Sequence, residues 1–179
     1  VARGGSLKEI MLQVIKSAES IYPKSMCSIL LMDHEGKHLL SGSAPSLPDF
    51  FSRAISGVKI GMGVGSCGTA AFSGQRIVVE NIASHPYWEN FKELAAMAGL
   101  GSCWSEPIHS ASGRVLGTFA IYRAEPSFPD EQEISLIENA ANLVGIAIER
   151  IQAEEELHLA SSIYHNSTEI VLVTDTNNR

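Results

Sequence analysis

The stretch Gly61-Met62-Gly63-Val64-Gly65-Ser66-Cys67-Gly68-Thr69-Ala70-Ala71, answered by Gly99-Leu100-Gly101-Ser102-Cys103-Trp104-Ser105-Glu106-Pro107-Ile108, decides how this chain is read. Glycine lets a backbone reach positive φ or pass close to a neighbour, and Ser66 is a natural N-cap for a short helix beginning near Cys67. A loop that enters a helix in this way offers free N–H groups to an anion. No lysine follows the glycines, as a Walker loop requires, and the spacing is not that of a dinucleotide fingerprint. The glycines alone leave a packing turn and a ligand loop equally open.

Outward from this stretch, Leu7, Ile10, Met11, Val14, Ile15, Ala18 and Ile21 recur at helical spacing, which predicts an amphipathic helix over 7–21 that ends before Pro23. Met26 to Asp33 and His38 to Ala44 flank His-Glu-Gly-Lys as two apolar runs around turn residues, a hairpin. Short helices are expected over Pro48 to Ile55 and Cys67 to Phe72. A strand at Arg76–Glu80, a helix near Tyr87–Ala98, and strands at Gly101–Ile108 and Arg114–Tyr122 come next. Hairpin strands with helices between them imply an α+β domain, a mostly antiparallel sheet covered by helices.

Taken in order, the glycine loop and its short helix, the strand in Gln75 to Ile82 (QRIVVENI), Pro86 with Trp88, the C-W-S-E-P-I strand, and Gly113 to Tyr122 (GRVLGTFAIY) resemble the GAF family of small-molecule sensory domains. The resemblance covers roughly residues 5–152. It implies a non-enzymatic module that regulates attached output domains, usually within a multidomain bacterial signalling protein, a histidine kinase or a cyclic-di-GMP enzyme among them. It does not name a ligand, and the cofactor is left unknown.

After Pro126 and Pro129 the chain runs to about Ser162 with Gly145 as its one interruption. Ile134, Ile137, Ala141, Val144, Ile148 and Ile151 alternate three and four apart, close to the 3.5-residue period of a coiled coil. A helix of about 30 residues is roughly 45 Å long, so its end, Gln152 to Ser162, should project from a domain of this size. Residues 163–179 resemble the opening of a PAS domain, with E-I-V-L-V-T-D as its first strand before an asparagine turn. The expected organisation is a sensory domain over 1–152, a helical linker over 153–163, and a truncated PAS-like start over 164–179. Val1 and the abrupt end at Arg179 suggest a fragment of a longer protein.

The 179 residues are 45% hydrophobic, enough for one sizeable core. Thirteen basic residues against 20 acidic ones give a formal charge of −7, which argues against nucleic acid or an anionic membrane surface as partner. No apolar run approaches the roughly 18–20 residues that span a bilayer. The odd cysteine count, Cys27, Cys67 and Cys103, in no CxxC pattern, reads as reduced intracellular usage. A cytoplasmic location is expected.

Candidate site residues come from these elements. Cys67 and Cys103 invite a chemical reading, since a thiol at a helix N-terminus can have its pKa lowered. G-S-C-G-T-A-A resembles the free methionine-R-sulfoxide reductases, a GAF-type enzyme family in which Cys67 would match a redox cysteine. That family also needs cysteines in the loop that here is Ala83 to Leu100, which holds none. In the strand after that loop, Cys103 and Ser105 point one way and Trp104 and Glu106 the other; beyond it, Thr118, Ala120 and Tyr122 share a face, with small Ala120 leaving volume above it. The expected ligand-binding set is Cys67, Thr69, Trp88, Cys103, Trp104, Glu106, Thr118 and Tyr122. The expected dimer interface is Ile137, Ala141, Val144, Ile148 and Ile151, joined by the first helix. No catalytic residue and no metal site is expected: the six histidines show no metal spacing. His85, beside Pro86, Tyr87 and Trp88, is the one near the pocket. Cys103 is followed by Trp104 rather than the histidine of bilin attachment, and the N-K-F-D-E signature of cyclic-nucleotide binding is not evident. A thiol-dependent reductase and a purely structural dimerisation module with a filled interior are the alternatives.

Overall fold

Strand alternation and helix periodicity meet in a single six-stranded sheet. The computed structural model describes residues 6–175, with side chains described as far as Ile163. Helix α1 (Leu7–Ile21) begins at a reciprocal capping box: Ser6 N–H donates to Glu9 Oε2 at 2.8 Å, and Glu9 N–H donates to Ser6 Oγ at 3.4 Å. Strands β1 (Ser25–Met32) and β2 (His38–Ser43) form the expected hairpin. Asp33 holds its turn by accepting from the Lys37 and His38 amides at 2.8 and 3.2 Å. Then come α2 (Asp49–Ile55), β3 (Val58–Lys59), α3 (Gly65–Ser73), β4 (Ile77–Val79), a 3-10 turn at Pro86–Trp88, α4 (Lys92–Met97), β5 (Ser102–His109), β6 (Val115–Arg123) and α5 (Glu131–Asp175).

The strand order is β3-β2-β1-β6-β5-β4, and every neighbouring pair is antiparallel. Helices cover both faces. On one, α1 and α5 bury Met11, Ile15, Val144 and Ile148 against Ile29, Trp104, Phe119 and Ile121. On the other, α2, α3, α4 and the 3-10 turn bury Phe51, Cys67, Trp88 and Ala95 against Leu30, Cys103, Ala120 and Tyr122.

Close approach explains two of the glycines. A Cβ on Gly117 would lie 2.2 Å from the Leu30 carbonyl oxygen, and one on Gly145 would lie 2.6 Å from that of His109. Gly145, the apparent interruption in α5, is where that helix rests on the end of β5.

Several expectations are corrected. The two-residue β3 is too short to leave a periodic signal, and the helix near 87–98 is a 3-10 turn and α4, separated at Phe91. Ser66 does not cap α3. The cap is Val64, without a side-chain bond, and the chain enters through Gly65 at φ +58°. Glu169–Asp175, expected as a PAS-like strand, continues α5 as helix. A lone strand pairs none of its backbone groups, whereas each residue added to a helix closes another hydrogen bond. The asparagine turn of that expectation extends beyond the described residues.

The expected dimer stripe is internal. Ile137, Ala141, Val144 and Ile148 are buried in the core that α5 shares with α1 and the sheet, and Ile151 is half-buried. The 3.5-residue pattern fits a helix lying on a sheet as well as a helix lying on a second helix. Among the described residues no helix is long and apolar enough to cross a membrane.

The tight β1–β6 approach gives a direct check. Gly117→Ala drives a methyl group into the Leu30 carbonyl and should lower unfolding free energy by about 1–3 kcal/mol in urea titrations. A variant as stable as the parent would show that the strands can part without loss.

Candidate functional site

Alternation along β5 and β6 builds a polar floor on the sheet face beneath α3. Cys103, Ser105, Thr118 and Tyr122 share this face with small Ala120. Ala120 pairs with Ser28 of β1 on one side and Ser105 of β5 on the other. Tyr122 Oη lies 3.2 Å from Ser28 Oγ and 3.7 Å from Cys67 Sγ, which descends from the first turn of α3. Fully buried positions are mostly filled by hydrocarbon side chains; here the sheet presents the hydroxyls of Ser28, Ser105 and Thr118, a phenol and a thiol in one patch.

Above it lies a cavity of about 30 Å³, bounded by Leu30, Phe51, Val64, Trp88, Phe91 and Tyr122, with the Cys67 side chain also at its wall. Phe51 meets Tyr122 edge-to-face at 5.9 Å. The roof is pinned through Ser66, whose Oγ accepts from Trp88 Nε1–H at 3.0 Å and donates to the Cys103 carbonyl at 3.5 Å. Ser66 thus satisfies the buried Trp88 indole from within α3 rather than capping that helix.

The thiols differ in character. Cys67 is held down to about 6 by the Cys103 thiol beside it, against the effect of burial, with further help from the hydroxyls of Ser105, Tyr122 and Thr118. Burial pushes Cys103 well above the ordinary thiol value, and the Cys67 charge pushes it further. Burial and neighbouring Glu19 raise Cys27 strongly, on the opposite face of the sheet.

Of the expected ligand-binding residues, Cys67, Trp88 and Tyr122 line the cavity, and Cys103 and Thr118 lie in the floor. Thr69 instead secures the glycine loop, donating to the Gly65 carbonyl at 2.6 Å and accepting from the Gly63 amide at 3.2 Å. Trp104 and Glu106 point to the other face. Trp104 packs under α1 and α5 with the Arg123 guanidinium 4.9 Å from its ring centroid. Glu106 pairs with Arg76, which also bonds Glu138 of α5. Burial raises the Glu106 carboxyl above its ordinary value, with Arg76 opposing. A strand cannot send adjacent residues to one pocket, so Cys103 and Trp104 could not both have belonged to it.

His85 serves its own turn, Nδ1 accepting from the Tyr87 amide at 3.2 Å. No group of three or more His, Cys, Asp or Glu among the described residues is placed to hold a metal ion. Ser28, Phe51 and Phe91 are site residues that the sequence did not single out, and Ser66 was read there only as a helix cap. Ser28 was open to the same alternation argument as Ser105, but the aromatic walls come from elements distant in sequence.

Comparison with known proteins agrees with this architecture. The family model for the GAF domain matches residues 5–149. The chain is 43% identical over 157 residues to a methyl sulfide methyltransferase-associated sensor of Methanosarcina acetivorans, covering 88% of this chain and 16% of that protein. The chain thus spans about a sixth of that relative's length. Two solved structures share the fold. A domain assigned to a two-component sensor histidine kinase of Sinorhizobium meliloti superposes with TM-score 0.72 at 22% identity, over 87% of this chain and 99% of that one. The GAF domain of an Acinetobacter phosphoenolpyruvate-protein phosphotransferase gives 0.68 at 17%, over 86% and 89%. With the family model running from the first helix to the middle of the last, and a sensor protein 43% identical over most of these residues, the chain belongs to the GAF domain family.

Proposed function

We propose that this chain is a non-enzymatic sensory module of a larger signalling protein, in which a small molecule held between the sheet and α3 alters the seat of α5. One observation carries the reading: β5 and β6 are shared. Cys103, Thr118 and Tyr122 face the cavity side, while Trp104, Phe119 and Ile121 of the same strands face α1 and α5. A ligand that shifts these strands must shift both faces, because packed cores change arrangement rather than deform smoothly. The cavity wall is apolar and aromatic, so the ligand class is a small, largely apolar molecule. A cavity of about 30 Å³ would have to enlarge to take most metabolites, and the short elements above it can open locally.

Trp88 then serves as the reporter. Its fluorescence should shift as a small apolar probe such as xenon or benzene saturates the cavity; Trp88→Phe should lose that response and Trp104→Phe keep it. Equal responses from both variants would place the ligand elsewhere.

The module is read as a homodimer through its terminal helices, working in the cytoplasm with neither nucleic acid nor membrane as partner. Leu143, Ile146, Arg150, Ala153, Leu157 and Ala160 recur three and four apart along α5, and the leucines and isoleucine among them are 58–71% exposed. This stripe replaces the buried one expected from sequence and leads toward a downstream output domain, whose identity these residues do not specify. Leu143→Glu with Ile146→Glu should halve the mass measured by light scattering while leaving the thermal transition cooperative. Val144→Glu should instead unfold the domain, since it buries a carboxylate without a partner. A double variant that keeps the parent's dimeric mass would remove the outer stripe from the interface.

A further inference from the structure

Helix α5 carries two stripes. Val144 and Ile148 belong to the core beneath it, whereas Leu143, Ile146, Arg150, Ala153, Leu157 and Ala160 recur three and four apart on its outer side. The inner stripe gives way to Glu155 and His158, one heptad after Ile148 and Ile151, and every residue from Gln152 to Ile163 is exposed. The outer stripe alone keeps its spacing across both segments. In heptad terms it supplies the a and d positions of a coiled coil, with Leu143, Arg150 and Leu157 at a.

Arg150 is the one charged member of that stripe, and its side chain is 70% exposed. A hydrocarbon surface laid over it would desolvate the guanidinium without a partner. Its neighbours are acids. Glu154, one turn on, accepts from Arg150 Nε at 2.8 Å, and the carboxylate of Glu149 is held by the Ala111 amide at 3.1 Å. One amide leaves that carboxylate free to accept further bonds.

A second copy of the helix answers this pattern. When two such helices lie parallel and in register, each stripe residue meets its own counterpart, so Leu143 covers Leu143 and Leu157 covers Leu157. The flanking g and e positions then face each other across the seam, which brings Glu149 of one copy beside Glu154 of the other. Those carboxylates repel, and Arg150 lies between them.

We propose that the homodimer read above from the outer stripe, on which this inference rests, is a parallel, in-register pair of α5 helices locked at Arg150, whose guanidinium bridges Glu154 of its own helix and Glu149 of the second copy. Five N–H donors in a planar fork suit a cation that serves two carboxylates. A polar residue at a single a position fixes register at some cost in stability. Slippage by one heptad leaves one of the two guanidiniums beside Asn142 of the other copy instead of Glu149, so the lock favours one alignment. Both helices then leave their domains in the same direction.

The test uses the whole chain carrying Ala153→Cys, a d position next to the lock. The three cysteines of the parent are buried, so mild oxidation reports on the introduced thiol. It should yield a disulfide-linked dimer, because matching d positions of a parallel pair lie close enough to bridge. Arg150→Glu leaves only carboxylates at that level and should raise the dimer dissociation constant about tenfold or more, whereas Arg150→Lys should stay dimeric. Adding Glu149→Arg to Arg150→Glu restores opposite charges across the seam and should recover both the dimeric mass and the cross-link. An Arg150 that served only its own helix would give no such recovery. A parent of monomeric mass overturns the homodimer and the lock together. Introduced thiols that fail to join in a dimeric parent, a dimer that Arg150→Glu leaves intact, or a double variant as weak as Arg150→Glu would each overturn the lock alone.

Discussion

Strand β6 is buried on both faces along almost its whole length, and that constraint governs the rest of the molecule. Each of its residues must fit one of two cores, so residue size is dictated position by position. Gly117 lets β1 approach at the Leu30 carbonyl, Phe119 and Ile121 fill the side under α1 and α5, and Ala120 leaves room on the side under α3. Antiparallel sheets more often wet one face. Here two helical layers remove both faces from water, and the strands between them become a wall common to two compartments.

The compartments differ in what they hold. Under α1 and α5 the core is mostly hydrocarbon, with Trp104 as its largest side chain. Under α3 it contains Ser28, Ser66, Ser105, Thr118, Tyr122 and two thiols within one patch, and such groups stabilise a core only where they satisfy each other. Some do: Trp88 with Ser66, and Tyr122 with Ser28. Ser105 and Thr118 do not. The opposite core also leaves Trp104 Nε1 without a partner, so what sets the α3 face apart is the number of hydroxyls and thiols gathered in one patch.

Much of the fold was legible because its signals are local. The α1 stripe, the hairpin around His34 to Lys37 and the alternation in β5 and β6 each come from spacing alone, and the structure places them within a residue or two. The site was legible only in part. Cys67, Trp88 and Tyr122 reach the cavity as their elements implied, whereas the aromatic character of Trp104 points toward a pocket and the alternation of β5 sends it to the opposite core. The α5 pattern was legible as a stripe but not as a destination. A row of Ile137, Ala141, Val144 and Ile148 states that one side of the helix is covered, and says nothing of whether a sheet or a second chain covers it. Ser66 shows the same limit in miniature: a serine before a helix reads as a cap until a tryptophan twenty-two residues away claims its oxygen.

Any signal that leaves this domain along α5 depends on how that helix is held. Its first turn is anchored by Glu133, which is buried, pairs with Arg123 and accepts from the Asp130 amide at 2.9 Å. Arg76 ties Glu138 to Glu106 of β5, Gly145 seats the helix on the His109 carbonyl, and Glu149 accepts from the Ala111 amide at 3.1 Å. These attachments all lead back to β5, β6, or the loops at their ends. From Gln152 to Ile163 the side chains are exposed as the helix continues. Under the proposed reading, a helix held at several points by the strands that wall the cavity would carry a small strand displacement to its far end, since an α-helix advances about 1.5 Å per residue and bends little over such a length.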